Sequence, residues 1–216
     1  MKKFHFTPKS RLLLIISILS ILFFFSLADY IFSHDLTPIQ IQIYHMMTSI
    51  RSPFFNFILI SLTKSANPLP ILFVTGASCL MFLLFKKYKE SLLCMFTVLA
   101  LTLSNLLLKL HYMRERPTFE HLIDESGYSF PSGHSMMSFG IAILCSFLLY
   151  QYCQKRSWAH LLSFFSFLYA CLIGFSRMYV NVHFLGDVLG GFLAASSLVC
   201  LILSLYCGFF SFTKSQ

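Results

Sequence analysis

Apolar residues along this chain gather into long runs separated by short polar breaks. The hydrocarbon core of a bilayer takes roughly 17–25 mostly apolar residues in helical form. Six segments reach or approach that length: Leu12–Phe32, Leu69–Phe85, Leu92–Leu108, Ser135–Tyr150, Leu161–Phe175 and Val188–Phe210. A seventh run, Phe54–Leu62, is too short to span. It is followed by Lys64, Asn67, Pro68 and Pro70, and reads as a helix lying at the interface before the second span. The pattern predicts an all-α polytopic membrane protein with six transmembrane helices, as a single domain over residues 1–216. No internal repeat, low-complexity tract or second domain is visible.

Composition agrees with the pattern. Hydrophobic residues make up 57% and charged residues 11% of the 216 residues, where a soluble domain carries roughly 25% charged residues. The formal net charge of +8 does not imply nucleic acid, because the charges punctuate apolar runs. They read as topology signals and phosphate ligands. Lys2, Lys3, Lys9 and Arg11 precede the first run as in a signal peptide, but the run is too long and no small-x-small cleavage site follows, so a retained first helix is expected. The seven cysteines lie in or beside the apolar runs without CxxC spacing, and read as small buried residues.

The basic residues assign a side to each loop. With six spans, the terminus side holds Lys2, Lys3, Lys9, Arg11, Lys86, Lys87, Lys89, Lys155, Arg156 and Lys214. The opposite side holds Arg51, Lys64, Lys109, Arg114, Arg116 and Arg177. The positive-inside rule then makes both termini cytoplasmic. The protein is expected in a cytoplasmic (inner or cell) membrane, with the outer ends of spans three to six on the extracytoplasmic face.

Three segments at those outer ends combine cations, histidines and turn residues. They are Lys109–Pro117 (KLHYMRERP), Pro131–Ser135 (PSGHS) and Ser176–Asp187 (SRMYVNVHFLGD). Lys109 and Arg116 are two helical turns apart and share a face if the third span continues outward, with Pro117 stopping the helix near Arg116. Arg114 falls off that face and is expected to meet water or headgroups. Ser132 suits an N-cap, Gly133 leaves the backbone open to a ligand, and the helix start is an anion site with His134 in its first turn. His183 and Asp187 stand at i, i+4 and are neighbours if the sixth helix begins by His183. An Asp beside a His fixes its tautomer and leaves the other ring nitrogen free to attack.

A phosphoryl group in transit carries spread negative charge, so its catalysis is mostly positioning and electrostatic stabilisation. Lys109, Arg116 and Arg177 supply positive charge; Ser132 and nearby amides add neutral donors. His183 is a candidate nucleophile and His134 a candidate proton donor. No carboxylate cluster is offered to a divalent metal, so metal-independent chemistry without a cofactor is expected.

The order Lys, six residues, Arg-Pro; then Pro-Ser-Gly-His; then Ser-Arg, five residues, His, three residues, Asp resembles the three-part signature of the type 2 phosphatidic acid phosphatases, relatives of glucose-6-phosphatase and the vanadium haloperoxidases. The motifs cover Lys109–Asp187, and the six-span layout extends the resemblance over nearly the whole chain. The resemblance implies that Lys109, Arg116 and Arg177 bind phosphate beside Ser132 and Gly133. It implies that His183 forms a phosphohistidine, that Asp187 orients it, and that His134 protonates the departing lipid oxygen before acting as base for water. It also implies a lipid phosphate or diphosphate substrate. Lys109 and the Gly before His134 look more like the phosphatidylglycerophosphatase B type, which is broad and accepts undecaprenyl diphosphate, than the dedicated diphosphatases. Lipid A phosphatases share the signature.

Two other functions stay open at this stage. A phosphotransferase would discharge the same phosphohistidine to a lipid hydroxyl. A small transporter is disfavoured, because the middles of the six spans lack Asp, Glu, Lys, Arg and His. The remaining polar residues read as ordinary. His5 and His160 should face the cytoplasm; His34 and His45 lie far from the motifs; His111 and His121 lie closer. Glu120, Asp124 and Glu125 read as a solvated loop, and Gly186, Gly190 and Gly191 as close-packing positions.

Overall fold

The computed structural model describes residues 6–210. The expectations for Lys2, Lys3, His5 and Lys214 fall outside the described residues. Eight α-helices are formed among those described: α1 (Pro8–Ser33), α2 (Thr37–Ser49), α3 (Pro53–Ser65), α4 (Pro68–Leu84), α5 (Tyr88–Tyr112), α6 (Gly133–Tyr152), α7 (Arg156–Tyr179) and α8 (Leu185–Phe210). Pro stands in the first turn of each of the first four, where its missing N–H costs nothing and its fixed φ suits the helix.

Five helices (α1, α5, α6, α7 and α8) are long and apolar enough to cross a membrane alone. The second expected span is α4, which has 17 residues and follows α3 across a bend of 51°. Taken together, α3 and α4 are long and apolar enough for a sixth span bent at the break between them. The run read as an interface helix is α3, which leads into this bend. Helix α2 was not anticipated. Outward-facing side chains such as Leu69 and Phe73, 78% and 77% exposed, give the bundle the apolar surface a bilayer solvates.

Helix α8 is the most buried of the spans and packs chiefly on α1 and α6. Small residues make this possible. A Cβ on Gly190 would stand 2.6 Å from the Phe130 ring, and one on Gly191 would stand 2.8 Å from the Ser132 carbonyl oxygen. The start of α8 is therefore pressed against the turn that opens α6. Along the α1–α8 seam, Ser17 Oγ donates to Ser197 O at 2.7 Å, and Ser204 Oγ donates to Ser10 O at 2.8 Å, the short polar contacts typical of close helix pairs in lipid.

The two ends of the bundle differ in chemistry. At the end holding the start of α1, Lys9 lies over the Phe147 ring and Lys89 over Phe210, while Glu90 accepts from Tyr152 and Tyr206 at 2.5 and 3.0 Å. The opposite end gathers the C-termini of α5 and α7, the N-termini of α6 and α8, and the segment between α5 and α6. All three motif segments lie there.

Candidate active site

Helix α5 does not continue to Arg116. It ends at Tyr112, and Met113 turns the chain through a left-handed conformation (φ 45°) with its N–H on Lys109 O. Arg116 therefore meets Lys109 through a loop rather than along a helix face. The two converge on one carbonyl: Tyr128 O accepts from Lys109 Nζ at 2.8 Å and from Arg116 Nη2 at 3.4 Å. Arg116 also donates to Gly127 O, Ser126 O and Val182 O, each at 2.9 Å. One guanidinium thus pins the loop to the turn that carries His183, and its burial lowers its proton affinity from the ordinary arginine value.

That turn spans residues 180–184, between α7 and α8. Asn181 adopts a left-handed conformation (φ 63°), which a short polar side chain tolerates. His183 is fully lodged in protein, just before α8 begins at Leu185. Its Nδ1 stands 3.5 Å from Asp187 Oδ2, and its Nε2 stands 3.4 Å from Arg116 Nη1. The i, i+4 relation expected from sequence is met, across the helix start rather than within it. Burial pushes the imidazole down to about 4, against the pull of Asp187. At neutral pH the ring is the free base, the state a nucleophile needs.

Asp187 is more tightly held than the sequence indicated. Oδ2 accepts from the Phe184 N–H at 2.9 Å, and Oδ1 accepts from Arg114 Nη1 at 2.5 Å. Arg114 does not face open water: its side chain is 12% exposed, pairs with a carboxylate that is 0% exposed, and lies 4.4 Å from the Phe184 ring centroid. The helical-wheel argument failed here because there is no helix at Arg114. A residue that is off the wheel pairs with the carboxylate beside His183 instead.

Ser132 is the N-cap of α6, its Oγ accepting from the Ser135 N–H at 3.4 Å and the Ser135 hydroxyl at 2.9 Å, and its N–H donating to Asp187 O at 2.9 Å. Gly133 lies tight against Asn105, whose Oδ1 would be 2.9 Å from an added Cβ. His134 Nε2 stands 2.9 Å from Asn67 Oδ1. Arg177, fully buried, donates from Nη1 to Thr63 Oγ1 at 2.9 Å and from Nη2 to Glu125, while its Nε has no protein partner.

Glu125 is the second correction. It belongs to the site, not to a solvated loop. It pairs with Arg177, and its Oε1 lies 3.8 Å from Arg116 Nη2. Burial raises its proton affinity, but Arg177 and then Arg116 and the nearby His134 outweigh this and hold the carboxyl below its usual range. Asn67, Thr63, Arg114 and Glu125 were all missed by sequence reasoning. The only signal was the position of Asn67 just ahead of Pro68 and Pro70, which marks a helix start but not a distant partner. His121 Nε2 donates to Pro117 O at 2.7 Å, a local loop contact.

The structure thus brings Lys109, Arg116, Arg177, Ser132, Gly133, His134, His183 and Asp187 to one end of the bundle. A cluster of three cations beside an unprotonated histidine is suited to a tetrahedral anion. An imidazole with a carboxylate behind one nitrogen can attack through the other. An apolar groove of about 960 Å³ runs between α4 and α7 over α6, with Ser65, Ala66 and Pro70 at its site end and Tyr152 and Cys153 at the other.

Comparison with known proteins agrees with this geometry. Residues 90–209 match the model of the PAP2 superfamily. Phosphatidylglycerophosphatase B of Bacillus subtilis (strain 168) is 33% identical over 175 residues, covering 79% of this chain and 85% of that protein. Lipid A 4'-phosphatase of Bacteroides thetaiotaomicron is 28% identical over 175 residues, covering 72% of each. The crystal structure of the transmembrane PAP2 type phosphatidylglycerolphosphate phosphatase from Bacillus subtilis superposes with a TM-score of 0.76 at 30% identity, covering 87% of this chain and 93% of that one.

Proposed function

The chain belongs to the PAP2 superfamily, and from that premise we propose that it is a membrane lipid phosphatase acting through a phosphohistidine on His183. The observation that carries this reading is the setting of His183, with Asp187 behind Nδ1 and Arg116 beside Nε2. Nε2 attacks phosphorus; the N–P bond forms as the P–O bond to the lipid alcohol breaks. Lys109, Arg116 and Arg177 hold the equatorial oxygens. His134 gives its proton to the departing alkoxide. Water, deprotonated by His134, then attacks phosphorus, and cleavage of the N–P bond releases inorganic phosphate and restores His183.

The substrate class follows from the groove and the relatives. The groove's apolar walls suit hydrocarbon, and its site end adjoins Asn67, the partner of His134. The identity to a phosphatidylglycerophosphatase favours a glycerophospholipid monoester, phosphatidylglycerophosphate or phosphatidic acid, over undecaprenyl diphosphate. The distribution of basic residues supports cytoplasmic termini and a site on the outer face. A cradle of three cations repels a divalent metal, and the carboxylates beside it, Glu125 and Asp187, are already paired with arginine.

Purified protein should therefore release inorganic phosphate from phosphatidylglycerophosphate faster than from undecaprenyl diphosphate, with EDTA present. Intact cells expressing it should hydrolyse externally added p-nitrophenyl phosphate. Loss of turnover in EDTA with rescue by magnesium would falsify the mechanism. Activity seen only after cell lysis reverses the orientation.

A further inference from the structure

We propose that Asn67, at the elbow between α3 and α4, is the positioning residue of His134 and tunes it to leaving groups that need a proton; this rests on the phosphatase reading above. Asn67 lies outside residues 90–209, the stretch that matches the family. It occupies the N-cap of α4 in an extended conformation (φ −66°, ψ 160°), yet its side chain makes no capping hydrogen bond. The i+3 amide that an N-cap side chain usually takes is absent here, because that residue is Pro70, so the Asn67 carboxamide is free for another partner. The N-caps of α1, α3 and α6 (Thr7, Ser52 and Ser132) all accept from their own helices. The Asn67 carboxamide instead reaches His134, its Oδ1 2.9 Å from Nε2.

The elbow makes this contact possible. The 51° bend between α3 and α4 falls at Ala66 and Asn67, and turns the end of α3 and the start of α4 toward the site. Thr63, one turn before Asn67 and fully buried, accepts from Arg177 Nη1 at 2.9 Å. Ser65 shares a hydrogen bond with Tyr169 at 2.7 Å on the groove's rim. One short stretch thus touches the proton donor, a phosphate-binding arginine and the mouth of the groove that would hold the leaving lipid.

The chemistry of the contact fits an acid. With Oδ1 toward the ring, Nε2 donates to a neutral acceptor, so the proton given to the alkoxide is the one on Nδ1 of the imidazolium, which thereby returns to the neutral ring. The ring is oriented without a further negative charge beside the incoming phosphate. His183, the nucleophile, has the opposite support, a buried carboxylate. The two partners match the two tasks: a carboxylate behind a base that must attack, an amide behind an acid that must not lose its proton to its own support.

The test is rapid-quench measurement of phosphoenzyme formation by the full-length protein in lipid nanodiscs. The substrates are phosphatidylglycerophosphate, whose alkoxide needs a proton, and p-nitrophenyl phosphate, whose leaving group does not. Asn67→Ser is the informative variant, because the Asn67 side chain makes no cap bond that could be lost and serine cannot reach His134. General-acid help is typically worth about 10²–10⁴-fold. Asn67→Ser should lose about 10-fold or more on the lipid, roughly 2-fold or less on p-nitrophenyl phosphate, and nothing further when added to His134→Ala. Equal losses on both substrates, or a loss that adds to that of His134→Ala, overturn the proposal. If His134→Ala itself shows no leaving-group dependence, the acid role in the parent mechanism fails, and the Asn67 assignment falls with it. If Asn67→Ser does not fold, Asn67→Asp, of the same shape, decides: a loss larger on the lipid than on p-nitrophenyl phosphate supports a neutral support for the acid, and full lipid activity or equal loss on both substrates overturns it.

Discussion

The two histidines of the site are held by different parts of the molecule. His183 has Asp187 four residues on, a carboxylate held in turn by the Phe184 amide and by Arg114, and Arg116 reaches the ring from 67 residues away. His134 meets a neutral carboxamide, that of Asn67 on the α3–α4 elbow. In the proposed mechanism the nucleophile, His183, does the same job for every phosphate ester, and its support is buried and charged. The proposed acid, His134, must suit a particular leaving group, and its support comes from the element that also borders the groove. Attack and leaving-group selection are thus built from separable parts, and damage to each should have its own signature.

The largest effect that would sharpen the contrast is expected at Arg114. Its removal leaves the Asp187 carboxylate without its ion-pair partner at a fully buried position. Breaking a buried pair typically destabilises by about 3–5 kcal/mol. Arg114→Ala should lower the Tm in detergent and slow phosphoenzyme formation about 10–100-fold, less than the ~10⁴ lost when a triad's orienting Asp is itself altered. The loss should be the same for lipid phosphate and p-nitrophenyl phosphate, because the damage is to the nucleophile. A larger loss on the lipid breaks the division between the two regions.

A smaller effect, of opposite sign, is expected at Glu125. This carboxylate sits between Arg177 and Arg116, where a phosphate would compete with it. A half-buried ion pair of this kind is worth on the order of 1 kcal/mol, so Glu125→Gln should bind vanadate about 3–10-fold more tightly. Weaker vanadate binding in Glu125→Gln contradicts the competition and makes Glu125 a support of the cradle.

Most of the architecture was legible in the chain because a bilayer imposes simple rules. Long apolar runs had to be helices, and the motifs had to share one end for their cations and histidines to meet. The errors arose where tertiary structure overrode local pattern. The Ile-Gln-Ile-Gln-Ile run of residues 39–43 alternates with a period of two, which hides helix α2. Lys109 and Arg116 were rightly paired for a wrong reason: the helix stops at Tyr112, and a loop carbonyl joins them. That same stop turned Arg114 inward. Glu125 in Asp-Glu-Ser-Gly reads as solvated because nothing local reveals two arginines folding onto it. Asn67 looks like a cap, and only the bend shows that its side chain serves another helix.

The central claim is that His183 carries the phosphoryl group. Wild-type protein, His183→Ala and His134→Ala should be mixed with ³²P-labelled p-nitrophenyl phosphate, quenched in alkali within milliseconds, and the protein-bound label counted. The account predicts base-stable, acid-labile label approaching one phosphoryl group per chain in His134→Ala, where hydrolysis is slowed, a smaller amount in wild type, and none in His183→Ala. Label that persists in His183→Ala, or that is lost on alkaline quench, contradicts it.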